Sequence, residues 1–403
     1  MHINTCGKAI PMTFIICPPG GTESYYRTTV IRSLDPLQAD EFLRTVPGAN
    51  HERDIPHLIS LLDRLRASAE TINFETPEFG HAAMRDIGIV LASLKRHGIE
   101  PIPAVPGIEP ILLKIGELTD MVPRDTVHHY TSWNPDGARR RTYTSDPQER
   151  ILQEAVVDVF PHLSASLTLS EELSAMNPDD ARFAPLVNAL SHEASAMVSS
   201  IDAVVKQVSP VFFAQTLRPY FEEITVAGEQ YLGPAAAQVP LWLIDLCLWA
   251  SDRNSPEYEA FLVESVKYSL PPWRAFFHRH RNSPSLVTKL STLLEDRHGA
   301  VDENVMRSAE SVAFLLRTLK VFRGRHLGIA RAAYSDDIRL YDKGSGGAPV
   351  ALLKAIIDLT VENERLVLVR RQPSAHHPLS AGPLPSPDLA KDPQHLDVGS
   401  PGL

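Results

Sequence analysis

One histidine and one glycine-rich turn carry the chemistry that this sequence offers. The histidine is His326, in the run Val321-Phe322-Arg323-Gly324-Arg325-His326-Leu327-Gly328-Ile329-Ala330-Arg331-Ala332-Ala333-Tyr334. Ten residues past that tyrosine comes Gly344-Ser345-Gly346-Gly347. A neutral imidazole binds a metal through one ring nitrogen while the other donates a hydrogen bond. The bland alternative is a surface or capping histidine among Arg323, Arg325 and Arg331. No HxxxH, HExxH or Cys/His spacing backs a protein-only metal site. The glycine turn is likewise either a flexible link between helices or a place where backbone approaches a ligand closely. No strand precedes it, so it is not a dinucleotide fingerprint.

The surrounding residues must form a helix if this pair is to act together. Ala309, Val312, Leu316, Leu319 and Phe322 make one apolar stripe, and His326, Ala330 and Tyr334 continue it at four-residue steps. Eight residues of helix rise ~12 Å and drift ~80°, which puts His326 and Tyr334 two turns apart on nearly the same face. Similar spacing recurs over Asp54–Ala69, Ala82–His97, Ile111–Leu118, Glu149–Phe160, Ala184–Val208, Pro234–Ala250, Pro256–Tyr268 and Ser285–Glu295. Asp35 before Pro36 and Asp146 before Pro147 read as N-caps, and Gly98 as a residue just past a helix end. Two-residue alternation is scarce, so the fold is expected to be all-α. Residues 1–22 read as irregular, 23–150 as a smaller helical domain, 151–371 as a larger one, and the Pro-rich 372–403 as a flexible tail.

Composition narrows the function class. The 403 residues are 43% hydrophobic and 22% charged, as in an ordinary globular chain with a large core. A net charge of −10 lacks the basic footprint of a nucleic-acid binder. Three scattered cysteines, Cys6, Cys17 and Cys247, form no CxxC pair and point to a reducing, cytoplasmic setting rather than a disulfide scaffold. No apolar run reaches the ~18 to 20 residues that span a bilayer, and no signal peptide is expected. Arg85-Asp86 reads as a structural ion pair, and the adjacent His128-His129 diverge by ~100° on a helix, too far for a metal pair.

A series of blocks resembles the monodechloroaminopyrrolnitrin synthase family of the indoleamine and tryptophan dioxygenase superfamily. In chain order they are Leu34-Asp35-Pro36-Leu37-Gln38-Ala39, Ala83-Met84-Arg85-Asp86-Ile87-Gly88, Ser93-Leu94-Lys95-Arg96-His97-Gly98 and Val105-Pro106-Gly107. Trp133-Asn134-Pro135, Leu217-Arg218-Pro219-Tyr220 and Tyr231-Leu232-Gly233-Pro234 follow, and the His326 and glycine-turn segments close the series. Residues 34–365 are covered.

The resemblance implies a two-domain helical fold whose larger domain holds heme b, with His326 as the axial iron ligand. Leu232 and Gly233 match a stretch that lies against the heme, and Gly344 and Gly346 would let backbone approach it. Tyr334 and Ser345 match two pocket hydroxyls that act on the substrate amine. Heme propionates are anionic and want guanidinium partners, and Arg323 is the candidate. The implied reaction is oxidative, on tryptophan or a tryptophan-like amine with or without a halogen, with dioxygen or peroxide and with ring rearrangement. The alternatives are a dioxygenase that cleaves the indole to N-formylkynurenine, and a heme-binding sensor or carrier without turnover. One departure is Arg325, where the family has a proline before its histidine.

Overall fold

Local capping chemistry starts most of the long helices. The computed structural model describes residues 21–235, 238–295 and 302–368. Helices of eight residues or more are α1 Gly21–Ser33, α2 Ile55–Thr71, α3 Pro77–Arg96, α4 Ile108–Thr119, α5 Pro147–Ala175, α6 Phe183–Gln207, α7 Pro256–Val266, α8 Pro271–His280, α9 Leu286–Glu295, α10 Glu303–Ala333 and α11 Val350–Val367. Asp54, Asp146 and Asp302 accept hydrogen bonds from His57 N, Gln148 N and Asn304 N, each satisfying an otherwise orphaned N–H at a helix start. Gly98, at φ +79°, ends α3: its N–H reaches Lys95 O and that of Ile99 reaches Leu94 O. The fold is all-α, as expected from the sequence. Its described sheet is one hairpin, β1 Ile224–Val226 with β2 Glu229–Tyr231. Ala227 and Gly228 both have positive φ, which gives the tight turn the right twist.

Four expectations need correction. No helix starts at Pro36; the Asp35 carboxylate instead accepts from Ala39 N and Asp40 N across a turn, because Gln38 sits at φ +52°. The helix expected to stop at Phe160 runs through Pro161 to Ala175. Proline there removes one backbone bond, but α5 keeps its course through extensive packing along α6. The stretch Pro234–Ala250 holds only a short helix, Leu241–Asp245, followed by a wide turn of helix at Leu246–Ala250. Helices α1, α8 and α11 were not anticipated. The segment before residue 21 and the tail beyond residue 368 lie outside the described residues.

Two apolar clusters form the interior. One gathers residues from Leu37 to Tyr143 and takes in Val208, Phe212, Leu217, Tyr220, Phe221, Ile224 and Val226, so the chain returns to it after α6. The other takes in Val127 and spans Val159 to Val367, with α10 packed along both α6 and α11. Buried ion pairs lock the first: Arg85 grips Asp86 through two hydrogen bonds of 2.9 and 3.0 Å, and Arg141 adds a third of 2.8 Å. The expected structural role of that pair is borne out.

Candidate active site

Helix α10 presents His326 from its inward face. The imidazole is densely surrounded yet keeps part of its surface open, and it makes no hydrogen bond to any described residue. Its nearest ring is Phe322, one turn back, at 5.9 Å between centroids. Burial, helped by the Arg323 charge, lowers its pKa below the ordinary value, so the ring is neutral and able to ligate at neutral pH.

Tyr334 closes α10, and its hydroxyl is buried without a hydrogen-bond partner. The Arg218 guanidinium and the Ser345 N–H are its polar neighbours. Burial raises the phenol pKa, and these two neighbours only partly offset that, so the hydroxyl stays protonated. Gly344 stands against it: a Cβ there would lie 3.9 Å from the Tyr334 oxygen and 3.2 Å from Ala348 O. The glycine turn is an ordered one, with Gly347 N donating to Gly344 O at 3.0 Å, Gly344 N donating to Ala348 O at 2.8 Å, and Gly347 at φ +77°. Ser345 and Gly346 occupy its tip, half-buried, and the Ser345 hydroxyl makes no hydrogen bond to a described residue.

The segment Tyr231–Pro234 reaches the same place. The Leu232 side chain lies 3.6 Å from where a Cβ of Gly347 would be. Its backbone N–H donates to Tyr268 Oη at 2.8 Å, and Arg124 donates to Tyr231 O at 2.6 Å. Gly233 runs so close to Phe221 that a Cβ would meet that residue's Cα at 2.7 Å, which only glycine avoids. Gln238 finishes the brace, donating to Gly233 O and accepting from Val127 N.

Arg218 is the residue that reading the sequence missed. Its guanidinium is buried, with Nε and Nη1 unpaired; Nη2 makes one long bond of 3.5 Å to Gly344 O. The Tyr341 ring lies under it, 4.3 Å from the guanidinium carbon. It follows the wide helical turn Phe212–Leu217, a local geometry frequent at functional sites. A buried guanidinium with two unmet donors is costly unless an anion completes it.

Arg323 has a different job from the one expected. Its Nη2 pairs with the Asp245 carboxylate and its Nη1 donates to Thr360 Oγ1 at 2.8 Å, all buried. Both terminal nitrogens are thus committed to the core and are not offered to a propionate. Arg325 ion-pairs with Asp202 of α6 at 2.7 Å, so its extra charge is met there.

The family model described as monodechloroaminopyrrolnitrin synthase PrnB matches residues 51–362. The chain belongs to that family. Membership in the synthase family accounts for a helical fold in which α10, the glycine turn and the Tyr231–Pro234 segment all fall inside the matched region. It also makes the chain a member of an enzyme family. No single helix among the described residues is long and apolar enough to cross a membrane.

Do the residues present fit an iron porphyrin? A neutral imidazole free of protein partners, a protonated phenol and a buried guanidinium with open donors form a donor set that suits one. Among the described residues no cluster of His, Cys, Asp or Glu would hold a bare metal ion.

Proposed function

We propose that this protein is a heme b enzyme that acts oxidatively on tryptophan or a tryptophan-like substrate, halogenated or not, with dioxygen or peroxide, by a ring rearrangement of the synthase type. The observation that carries the reading is the convergence of Tyr334 Oη and Arg218 Nε and Nη1, all buried and unpaired, around the glycine turn at the end of the helix that bears His326. His326 would be the axial ligand, with Leu232, Gly233, Gly344 and Gly346 placing backbone against the cofactor. Iron protoporphyrin IX, when bound, supplies the oxygen and one-electron chemistry.

The chain's own groups then position the substrate. Arg218 presents two donors to a carboxylate, and its planar fork suits that anion better than an ammonium would. Ser345 Oγ accepts from the substrate amine. Tyr334 Oη would hydrogen-bond that nitrogen and exchange a proton with it.

Two measurements test this. Protein reconstituted with heme should show a Soret band and a ferrous–CO difference spectrum that His326→Ala abolishes or shifts; identical spectra in the two proteins would remove His326 as ligand. Arg218→Gln should leave the Soret band intact. It should weaken tryptophan binding to the loaded protein by roughly 10- to 100-fold, the worth of a charge-assisted hydrogen bond or two. Tryptamine, which lacks the carboxylate, should bind both proteins alike. An equal loss for the two ligands would refute the carboxylate role.

A further inference from the structure

The loop that joins α10 to α11 folds over Arg218. Gln215 Nε2 donates to Ile338 O at 3.1 Å and Arg218 Nη2 reaches Gly344 O at 3.5 Å. Between these two points the Tyr341 ring lies under the guanidinium. A cation over an aromatic face is attracted without its donors being used up. The stack therefore fixes the plane of the fork and leaves Nε and Nη1 open.

A carboxylate is built into the same spot. Glu222 follows Arg218 by four residues, just past the single turn Arg218–Phe221, and its side chain accepts from Tyr341 Oη. Its backbone is pinned, because Arg124 Nη1 donates to Glu222 O at 2.7 Å and to Tyr231 O at 2.6 Å. One ring thus holds the guanidinium on its face and the carboxylate on its hydroxyl. A half-buried acid so placed would ordinarily pair with a buried guanidinium that has two unmet donors. Glu222 instead makes no ion pair with a described residue, and the phenol takes its oxygen. Burial, and after it the bond to Glu222, raises the Tyr341 pKa, so the phenol keeps its proton and remains the donor.

We propose that Tyr341 is a specificity-determining residue that keeps Glu222 off Arg218, so that the two open donors stay available for the carboxylate of an α-amino acid. This rests on the reading of Arg218 as the carboxylate anchor given above. Without the phenolic hydroxyl, Glu222 turns to the guanidinium and the site carries its own counter-ion. A substrate carboxylate must then displace it, and affinity falls by the fraction of molecules in which the internal pair is open. An amine without a carboxylate does not use those donors and is indifferent. A bond that merely tied down the loop would behave differently: losing Glu222 would do the same harm as losing the hydroxyl, and losing both would repair nothing.

The test is binding of tryptophan and tryptamine to heme-loaded protein, followed by the shift of the Soret band, in Tyr341→Phe, Glu222→Gln and the double variant. Tyr341→Phe keeps the ring under the guanidinium. It should weaken tryptophan about 10-fold, as an internal pair formed in roughly nine molecules of ten requires, and leave tryptamine unchanged. Glu222→Gln should be silent alone and, in the double variant, should restore tryptophan to the parent value. Equal losses for the two ligands, a double variant no better than Tyr341→Phe, or full tryptophan affinity in Tyr341→Phe would overturn the proposal. If Arg218→Gln does not discriminate the two ligands, or no Soret band forms, the reading above fails by itself. A crystal structure of Tyr341→Phe then decides the role of Tyr341: an Arg218–Glu222 ion pair supports it, and a guanidinium still unpaired ends it.

Discussion

Replacing Asp245 by alanine should destabilise the protein by about 3–5 kcal/mol, the usual result of stranding one partner of a buried ion pair. The carboxylate is buried in the short helix Leu241–Asp245 and takes the Arg323 guanidinium on both oxygens. It also accepts from Tyr258 Oη of α7 at 2.6 Å. Asp245→Ala therefore leaves the Arg323 guanidinium without its counter-charge and the Tyr258 phenol without its acceptor in the apolar core, and it adds a small cavity. Because Arg323 stands three residues before His326 on α10, the loss is expected to reach the candidate heme ligand as well. Urea unfolding should show the stability change and the Soret position the second effect. An Arg323→Met, Asp245→Leu double variant removes both charges together and should recover most of the stability, since a well-packed apolar pair often matches a buried ion pair. A single variant within 1 kcal/mol of the parent, an order below which buried-pair losses do not fall, would mean that water reaches Arg323.

The same ion pair shows why the contacts of Arg323 were not legible in the sequence. Asp245 and Arg323 are 78 residues apart, and no local pattern links them. Capping, by contrast, is decided within three residues, so Asp146 and Gly98 marked real helix ends. Asp35 misled because the feature that diverts it, the left-handed backbone at Gln38, is carried by a residue type that gives no warning. Pro161 misled in the opposite sense: packing of α5 on α6 outweighed one missing hydrogen bond, and packing is not local. At the candidate site, Tyr334 and Ser345 stood out through the family resemblance. Arg218 lay in a quoted block, Leu217-Arg218-Pro219-Tyr220, yet its importance is that it is buried with unmet donors, which is a property of three dimensions.

Acid should weaken the fold steeply between about pH 6.5 and 4.5, by roughly 1–3 kcal/mol per pH unit. Three buried imidazoles set the direction. His81 of α3 and the adjacent His128 and His129 surround Trp133, with the His81 ring 4.1 Å and the His128 ring 5.2 Å from it between centroids. Burial lowers the pKa of His81 to about 4 and of His128 to about 3, and holds His129 well below its ordinary 6.5. Neighbouring positive charge and the other imidazoles reinforce burial at His128 and His129. A group whose folded pKa is depressed gives stability that is complete above its unfolded pKa and is lost as pH falls toward the folded value. In this window the unfolded chain thus binds three more histidine protons than the folded one. Two buried carboxyls act the other way. Glu149, raised from 4.5 to about 7 by burial, is already protonated in the folded protein there, and Asp125 is raised in the same sense. The net uptake on unfolding is one to two protons, and each is worth 1.36 kcal/mol per pH unit. Denaturant melts at pH 7, 6 and 5 measure the slope directly. His128→Phe, in a pocket formed by Phe160, Trp133 and Trp273, should remove about one proton of it while keeping the ring contacts. A midpoint that stays level from pH 7 to 5 would show that these imidazoles are already protonated in the folded state, and the burial argument for them would fall.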